Sequence, residues 1–138
     1  MKLVNCTPKY WEFVRKLRLD ERVIDGFIKT KQITKEEQIS YMKNNSKYYR
    51  ICLINKQAAG YVGVIDNDIR VCTHPDFQGK GIGKFMINES MNIWPTAFAK
   101  VKLNNHMSIR LFESCGFARS KNIIKEQQEY IIFIKNNK

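Results

Sequence analysis

The sequence lacks the features of membrane and fibrous proteins. No apolar run approaches the roughly 18 residues of a membrane-spanning helix, and the longest, Tyr130 to Ile134, has the length of a strand. No fixed period recurs, which excludes coiled coils and tandem repeats. The N-terminus has neither the apolar core nor the cleavage site of a signal peptide. We therefore expect a soluble, cytoplasmic protein without a membrane partner.

Cysteine and proline are also scarce, with 4 and 3 residues among 138. Cys6, Cys52, Cys72 and Cys115 are widely spaced and form no C-x-x-C pair, so neither a zinc site nor a disulfide framework is predicted. We expect no bound metal and mostly buried, apolar cysteines. Because no Gly/Ser-rich or proline-rich linker divides the chain, residues 1–138 are predicted to form a single domain.

Acidic residues are few: 13 Asp and Glu stand against 24 Lys and Arg, a net charge of +11. Such a charge suits nucleic acid, a membrane surface or a multiply phosphorylated ligand. A general enrichment in Lys, Asn and Ile explains it equally well. The basic residues are spread along the chain, and no nucleic-acid-binding motif accompanies them. Charge is therefore the only support for a nucleic-acid function, and nucleic acid is not predicted as a partner.

Apolar periodicity and turn residues predict mixed elements in the order β-α-α-β-β-β-α-β-α-β-β. Thr34 and Glu37 form a capping box for the second helix, whose apolar face is predicted to carry Ile39 and Met42. The predicted strands are Lys2 to Asn5, Tyr49 to Ile54, Gly60 to Ile65, Asp68 to Thr73, Ala99 to Leu103, Phe117 to Lys121 and Glu129 to Lys135. The predicted helices run from Thr7 to about Leu19, Thr34 to about Lys43, about Gly81 to Ile93 and about Ser108 to Cys115. The stretch between Asp20 and Ile33 is not assigned.

The segment from Thr73 to Gly83 carries the strongest chemical signal, because it joins a predicted strand to a predicted helix. Its glycines, Gly79, Gly81 and Gly83, leave backbone N–H groups unshielded, and the start of the helix adds a positive dipole. Such a turn can bind phosphate oxygens, and a pyrophosphate is the expected ligand. The spacing matches neither the Rossmann fingerprint nor a Walker loop.

This segment resembles the acyl-CoA signature Q/R-x-x-G-x-G/A of the GCN5-related N-acetyltransferase (GNAT) superfamily. Gln78, Gly81 and Gly83 match the signature in full, with Pro75 upstream. A second family pattern, N-x-x-A/S-x-x-x-Y-x-x-x-G-F, is matched downstream except at its tyrosine. The residues of that match are Asn105, Ser108, Phe112, Gly116 and Phe117.

The resemblance implies an α+β fold with a splayed, mixed and mostly antiparallel sheet flanked by helices. The sheet would open between the strands that end near Thr73 and Leu103. It also implies an enzyme that moves an acetyl group from acetyl-CoA to a primary amine by direct attack on the thioester. The residues implied for acetyl-CoA are Val71, Cys72 and Thr73 for pantetheine and the thioester, Gln78, Gly79, Lys80, Gly81, Ile82, Gly83 and Lys84 for the phosphates, and Asn105, Ser108 and Phe112 on the other wall.

Phe112 departs from the family, since many members carry at this position a tyrosine thought to protonate the leaving thiolate. Phenylalanine has no proton to donate. A thiol with a pKa of about 8.5 is already a fair leaving group near neutral pH. Cys115 or Ser114 could donate instead, but packing at the helix end beside Gly116 is the better explanation of both residues.

The attacking amine must lose a proton, for which the chain offers four candidates. Asp68, on the strand before the glycine-rich turn, can face the amine directly or through water. Asp66 is explained by a turn, His74 lies close to the phosphate turn, and His106 is not placed. We predict Asp68 as the base, and an amine of near-neutral pKa would need no strong base.

The acceptor site of this fold is formed mainly by the first two helices, here residues 10–42. Arg15, Arg18 and Arg22 are the candidate substrate-binding residues, and they also fit a solvated helix face. Their spacing is similar to that of acetyltransferases acting on nucleotide-linked amino sugars and of those acting on ribosomal-protein N-termini. Aromatic residues that could pack against a base or sugar ring lie nearby: Trp11, Phe13, Phe27, Tyr41, Tyr48 and Tyr49. A basic surface disfavours a polyamine acceptor. The chain is predicted to act on a small molecule as a monomer or homodimer.

A non-catalytic module that binds acyl-CoA as a regulatory ligand is the alternative class. Phe112 and the absence of an obvious strong base favour it. Release of CoA thiol with any amine would distinguish the enzyme from this module.

Overall fold

A computed structural model describes residues 1–20, 22 and 33–135. The described elements confirm the predicted order of helices and strands. The strands are β1 Lys2–Asn5, β2 Tyr49–Ile54, β3 Gln57–Ile65, β4 Asp68–Thr73, β5 Phe98–Lys102, β6 Phe117–Lys125 and β7 Gln128–Lys135. The α-helices are α1 Trp11–Arg18, α2 Lys35–Asn45, α3 Ile82–Ile93 and α4 His106–Ser114, and short 3-10 helices span Pro8–Tyr10, Ser46–Tyr48 and Pro75–Phe77.

The strands form one seven-stranded sheet in the order β1-β2-β3-β4-β5-β7-β6. Every neighbouring pair is antiparallel except β4 and β5, which are parallel and share the single register pair Asp68–Phe98. The amide of Phe98 donates to the carbonyl of Asn67 at 2.7 Å beside that pair. Beyond it the two strands diverge, which confirms the predicted splayed, mixed sheet.

Two-residue turns connect three antiparallel pairs, and in each both residues have positive φ: Asn55–Lys56, Asp66–Asn67 and Glu126–Gln127. This geometry is that of the hairpin turn whose twist matches the strands. The sequence predicted the second turn from its Asp-Asn pair. It predicted a longer first connection and missed the third, because Lys, Glu and Gln rarely adopt positive φ. Strands β3 and β6 are therefore longer than predicted.

Each face of the sheet carries a buried cluster. One cluster lies under α3 and α4 and includes Met86, Ile87 and Phe133. The other lies under α1 and α2 and includes Val14 and Met42. Burying one such side chain contributes about 1.5–3 kcal/mol, so the helices on both faces are held by apolar packing.

The start of α2 confirms the predicted capping box. The Thr34 hydroxyl accepts from the Glu37 amide at 3.1 Å, and the Glu37 carboxylate accepts from the Thr34 amide at 3.2 Å. The predicted apolar face is wrong at Ile39, which is exposed, whereas Gln38 is buried beside Met42. The Gln38 amide donates to the carbonyl of Trp11 at 2.9 Å. The buried face of α2 therefore includes Gln38, which makes a polar contact with α1, and excludes Ile39.

All four cysteines are buried and unpaired with one another, as predicted. Within residues 1–20, 22 and 33–135, no group of His, Cys, Asp or Glu side chains is arranged to hold a metal ion. None of the described helices is long and apolar enough to cross a membrane.

Candidate active site

A cleft of about 890 Å³ opens where β4 and β5 diverge. Strand β4, the turn before α3, and helix α4 form its walls. It brings together most of the predicted site residues: Arg18, Arg22, Asp68, Val71, Cys72, Thr73, Gln78, Gly79, Gly81, Ile82, Gly83, Lys84, Asn105, Ser108 and Phe112. Lys80, Arg15 and Cys115 are not part of its lining.

Strand β4 presents both backbone and side chains to the cleft. Its antiparallel pairing with β3 is continuous from Asp68 to Thr73, whereas its other edge pairs with β5 only at Asp68. Backbone groups on that open edge can bond to a ligand. Cys72 packs into the α1 and α2 cluster and Ile69 into the α3 and α4 cluster. Strand alternation therefore places Asp68 and Arg70 with Cys72, on the α1 and α2 face.

The glycine-rich turn exposes its backbone, as the sequence predicted. Gly79 and Gly81 have φ of +81° and +76°, and a Cβ on either would meet no atom within 4 Å. Gly81 is the N-cap of α3 and no side chain caps that helix. The amides of its first turn lack partners within the helix, and its dipole end is positive. The exposed backbone amides of this turn can therefore bind an anion.

Helix α4 forms the opposite wall. Its N-cap is Asn105, whose side-chain oxygen accepts from the Ser108 amide at 3.2 Å. The side-chain amide nitrogen of Asn105, Nδ2, is therefore the group that can donate a hydrogen bond into the cleft. Leu111 packs near Gly83, where a Cβ would approach its side chain to 2.9 Å. The glycine thus allows α3 and α4 to lie close together.

The ring of Phe112 is 3% exposed and belongs to the core as much as to the cleft. It stacks on Phe133 with ring centroids 6.1 Å apart and meets Phe117 edge-on at 5.2 Å. Cys115 is also buried, and burial raises the pKa of its thiol. Ser114 lines the cleft, but its hydroxyl donates to the carbonyl of Leu111 at 2.7 Å. A role for Cys115 as proton donor is therefore not supported by its position.

Of the four candidate bases, Asp68 is the one that lines the cleft. Burial raises the pKa of its carboxyl, while Lys100 and Arg70 partly oppose that rise. Asp66 lies in the β3–β4 turn with φ of +52°. The other two candidates are the histidines: His106 is the exposed first residue of α4, and His74 accepts from the Asp76 amide at 3.1 Å and faces a separate cavity.

The three predicted arginines have different surroundings. Arg15 pairs with Glu12 and donates to the carbonyl of Ile33 at 3.0 Å, outside the cleft. Arg22 lines the cleft but forms salt bridges with Asp20 and Asp76 at 2.8 and 3.1 Å. Arg18 lines the cleft. Residues 21 and 23–32 of the predicted acceptor segment, which include Phe27, lie outside the described residues.

Tyr49, which the sequence placed among the aromatic residues near the acceptor, lines the cleft. Several other lining residues were not singled out for this role by the sequence, among them Tyr61, Arg70 and Lys100. Arg70 alternates with Asp68 and Cys72 on β4, so the period-two pattern could have placed it on their face. Tyr61 carried no comparable signal, since aromatic residues in strands are usually core.

The split sheet, the uncapped glycine-rich helix start and the carboxylate in the cleft place an anion-binding backbone beside a group that can accept a proton. The family model described as an acetyltransferase (GNAT) domain matches residues 44–119. The chain therefore belongs to the GNAT acetyltransferase family, which confirms the predicted resemblance. It is a GNAT N-acetyltransferase.

Solved structures share this fold at low sequence identity. Ribosomal-protein-alanine N-acetyltransferase from Brucella melitensis is 13% identical with a TM-score of 0.85, over 98% of this chain and 99% of that one. Spermidine N-acetyltransferase from Vibrio cholerae, in complex with CoA and spermine, is 18% identical with a TM-score of 0.81, over 96% and 93%. The Salmonella typhimurium protein yncA, with its cofactor acetyl-CoA, is 14% identical with a TM-score of 0.79, over 96% and 91%. No curated protein matches the sequence significantly.

Proposed function

We propose that residues 1–138 act as one acetyltransferase domain that uses acetyl-CoA to acetylate the primary amine of an anionic small molecule, a nucleotide-linked amino sugar being the first candidate. The observation that carries the proposal is the cleft between β4 and β5. It joins an open strand edge, an uncapped glycine-rich helix start and one partly buried carboxylate, Asp68. Family membership and solved relatives holding CoA or acetyl-CoA support the donor.

Residues along the cleft provide candidate contacts for the pyrophosphate and the pantetheine arm of acetyl-CoA. Amides from Gly79 to Gly83 and the start of α3 would hold the pyrophosphate, with Gln78 beside them. Lys80 and Lys84 would add positive charge. The open edge of β4 at Val71, Cys72 and Thr73 would bond to the pantetheine arm, opposite Asn105, Ser108 and Phe112 on α4.

Acetyl-CoA supplies an activated thioester when bound. Backbone N–H groups on the open edge of β4 would polarise its carbonyl, and the walls of the cleft would align the amine for attack. Asp68 would take the amine's proton, because a carboxylate of raised pKa is a better base. Phe112 leaves the thiolate without a dedicated acid, which a leaving group of pKa about 8.5 tolerates.

The charge of the acceptor side supports an anionic substrate. Among the residues that the structure describes, Arg18, Arg70 and Lys100 line the cleft with one carboxylate, Asp68. A polyamine would be repelled by this set, although one relative in fold acts on spermidine. Tyr49 and Tyr61 would pack against a sugar or base ring.

A second candidate function is a regulatory module that binds acyl-CoA without turnover, favoured by Phe112. A third is acetylation of a ribosomal-protein or peptide N-terminus, favoured by the likeness in fold to the Brucella enzyme. A thiol-release assay with nucleotide-linked amino sugars, simple amines and peptides separates the three. We expect release with anionic amines, whereas acetyl-CoA binding without release across the panel would favour the module.

A further inference from the structure

Arg70 is a cation on the acceptor side of the cleft that forms no salt bridge with any described residue. Its side chain is exposed and lies two residues from Asp68 on the same face of β4. Same-face neighbours on a strand are about 6.6 Å apart. A small ligand can therefore reach both residues at once.

The other arginines near the acceptor segment differ from Arg70 in their partners. Arg15 is paired with Glu12, and Arg22 is paired with two aspartates. In the described part of the chain no carboxylate lies within salt-bridge distance of Arg70. Its Nη1 donates to the hydroxyl of Tyr41 at 3.4 Å, and the guanidinium also interacts with the hydroxyl of Tyr49. The guanidinium keeps its charge and most of its donors for a ligand.

A pair of tyrosines fixes the position of Arg70. The Tyr41 and Tyr49 hydroxyls are 2.8 Å apart, and their rings meet edge-on at 6.1 Å. Tyr49 is paired in register with Gly63, where a Cβ would lie 2.5 Å from its ring. Burial raises the pKa of Tyr49, so its hydroxyl stays neutral and protonated. The pair can thus support the guanidinium without neutralising it.

We propose that Arg70 determines acceptor specificity by binding a carboxylate or phosphate on the same small molecule whose amine faces Asp68, with Tyr41 and Tyr49 as positioning residues. A planar guanidinium binds either anion in a bidentate manner. This inference rests on the proposed function and assigns recognition of the acceptor's anionic group to Arg70. Arg70 selects amines that carry an anion near the reacting nitrogen and discriminates against neutral or cationic ones.

Matched acceptor pairs test the proposal. Glycine is compared with glycinamide for the carboxylate arm, and glucosamine 6-phosphate with glucosamine for the phosphate arm. Turnover is followed by acetyl-CoA-dependent thiol release, and binding by calorimetry on the CoA-loaded protein. We expect the wild type to turn over and bind the anionic member of at least one pair about tenfold or more better than its partner. The pair that shows this preference identifies the bound anion as a carboxylate or a phosphate.

Arg70→Gln is expected to remove that preference by weakening only the anionic member, with acetyl-CoA affinity unchanged. Arg70→Lys should retain part of it, and Tyr41→Phe should reduce it less than Arg70→Gln. Arg119→Gln is the matched control, because Arg119 is exposed and outside the cleft lining. It should leave both members unchanged.

An equal loss for the charged and neutral members in Arg70→Gln, or no loss, would overturn the proposal. So would wild-type protein that binds both members of each pair equally. Absence of turnover with every amine would instead refute the enzyme function. The binding comparison would still decide the role of Arg70.

Discussion

At the scale of single residues, position in the fold separates chemically similar groups. Asp66 and Asp68 are two residues apart, yet one forms a turn and the other enters the cleft. Cys72 and Cys115 are both buried, and Cys72 alone lines the cleft. Burial raises the pKa of Cys72 to about 12, so neither thiol is a ready nucleophile.

Asp68→Asn should lower kcat about 100-fold or more while acetyl-CoA affinity is kept, because the amide cannot accept the proton. Asp68 acts as a base only when ionised, and burial raises its pKa. Activity should therefore fall on acidification at a pH above that of an ordinary aspartate, about 3.9. A pH profile of kcat/KM measures this limb.

Asp66→Asn is the matched control for that experiment. Asparagine tolerates the positive φ of the turn, so the fold and the acidic limb should both be retained. A variant at Asp68 that kept wild-type kcat would remove this residue from the proposed mechanism.

Cys115→Ala should cost about 1 kcal/mol of unfolding free energy, since it leaves a small cavity beside Phe112 and Phe117. The value of kcat should not change, because Cys115 does not line the cleft. Chemical denaturation and the thiol-release assay give the two numbers. A large drop in kcat with unaltered stability would restore Cys115 as a proton donor.

Some of the residue-level placement could be predicted from sequence. The glycine spacing predicted a backbone anion site, and the structure has Gly79 and Gly81 at positive φ with open space above them. The pairing of Arg15 with Glu12 was not predicted, although the two residues have the i, i+3 spacing of neighbours on a helix. Arg70 was not identified, because its surroundings come from Tyr41 and Tyr49 on two other elements.

At the scale of elements, the sequence correctly predicted turns and helix starts whose residues themselves favour the backbone conformation found there. The Thr34 capping box and the Asp66–Asn67 turn are of this kind. Glu126–Gln127 has the same backbone without favourable residues, so β6 was predicted too short. Gln38 is buried in place of Ile39 because its side chain donates a hydrogen bond to α1. The sequence of α2 alone cannot predict that contact.

Replacing Glu126 by Asn and Gln127 by Gly together should stabilise the protein by about 1 kcal/mol, because both new residues accept positive φ. The melting temperature should rise by about 3 °C. Acetyl-CoA affinity should be unchanged, since neither residue lines the cleft. A fall in melting temperature would show that Glu126 or Gln127 makes a contact that outweighs the backbone strain.

Gly81→Ala should weaken acetyl-CoA binding about tenfold or more, because it strains the turn and places a methyl group where phosphate approaches. Gly116→Ala is the control. Gly116 also has positive φ, +87°, but lies outside the cleft lining. Both variants should lose similar stability in thermal unfolding. Equal acetyl-CoA affinity in the two would contradict the assignment of the turn.

At the scale of the whole molecule, fold similarity extends over almost the entire chain at 13–18% identity. Two features of the sheet position the site: the single parallel register pair between β4 and β5, and the helix that starts beside their gap. The helix start was predicted from the glycine-rich turn, whereas the gap between β4 and β5 was predicted only through the resemblance to the GNAT family. The acceptor side was predicted only in part, since it is assembled from residues distant in sequence.

Calorimetric titration of the purified protein with acetyl-CoA tests whether this cleft holds the acetyl donor. We expect one site per chain, with markedly weaker binding for acetyl-pantetheine, which lacks the pyrophosphate and nucleotide. Absence of saturable acetyl-CoA binding would contradict the account. Equal affinity for the two ligands would contradict the role assigned to Gly79, Gly81 and the start of α3.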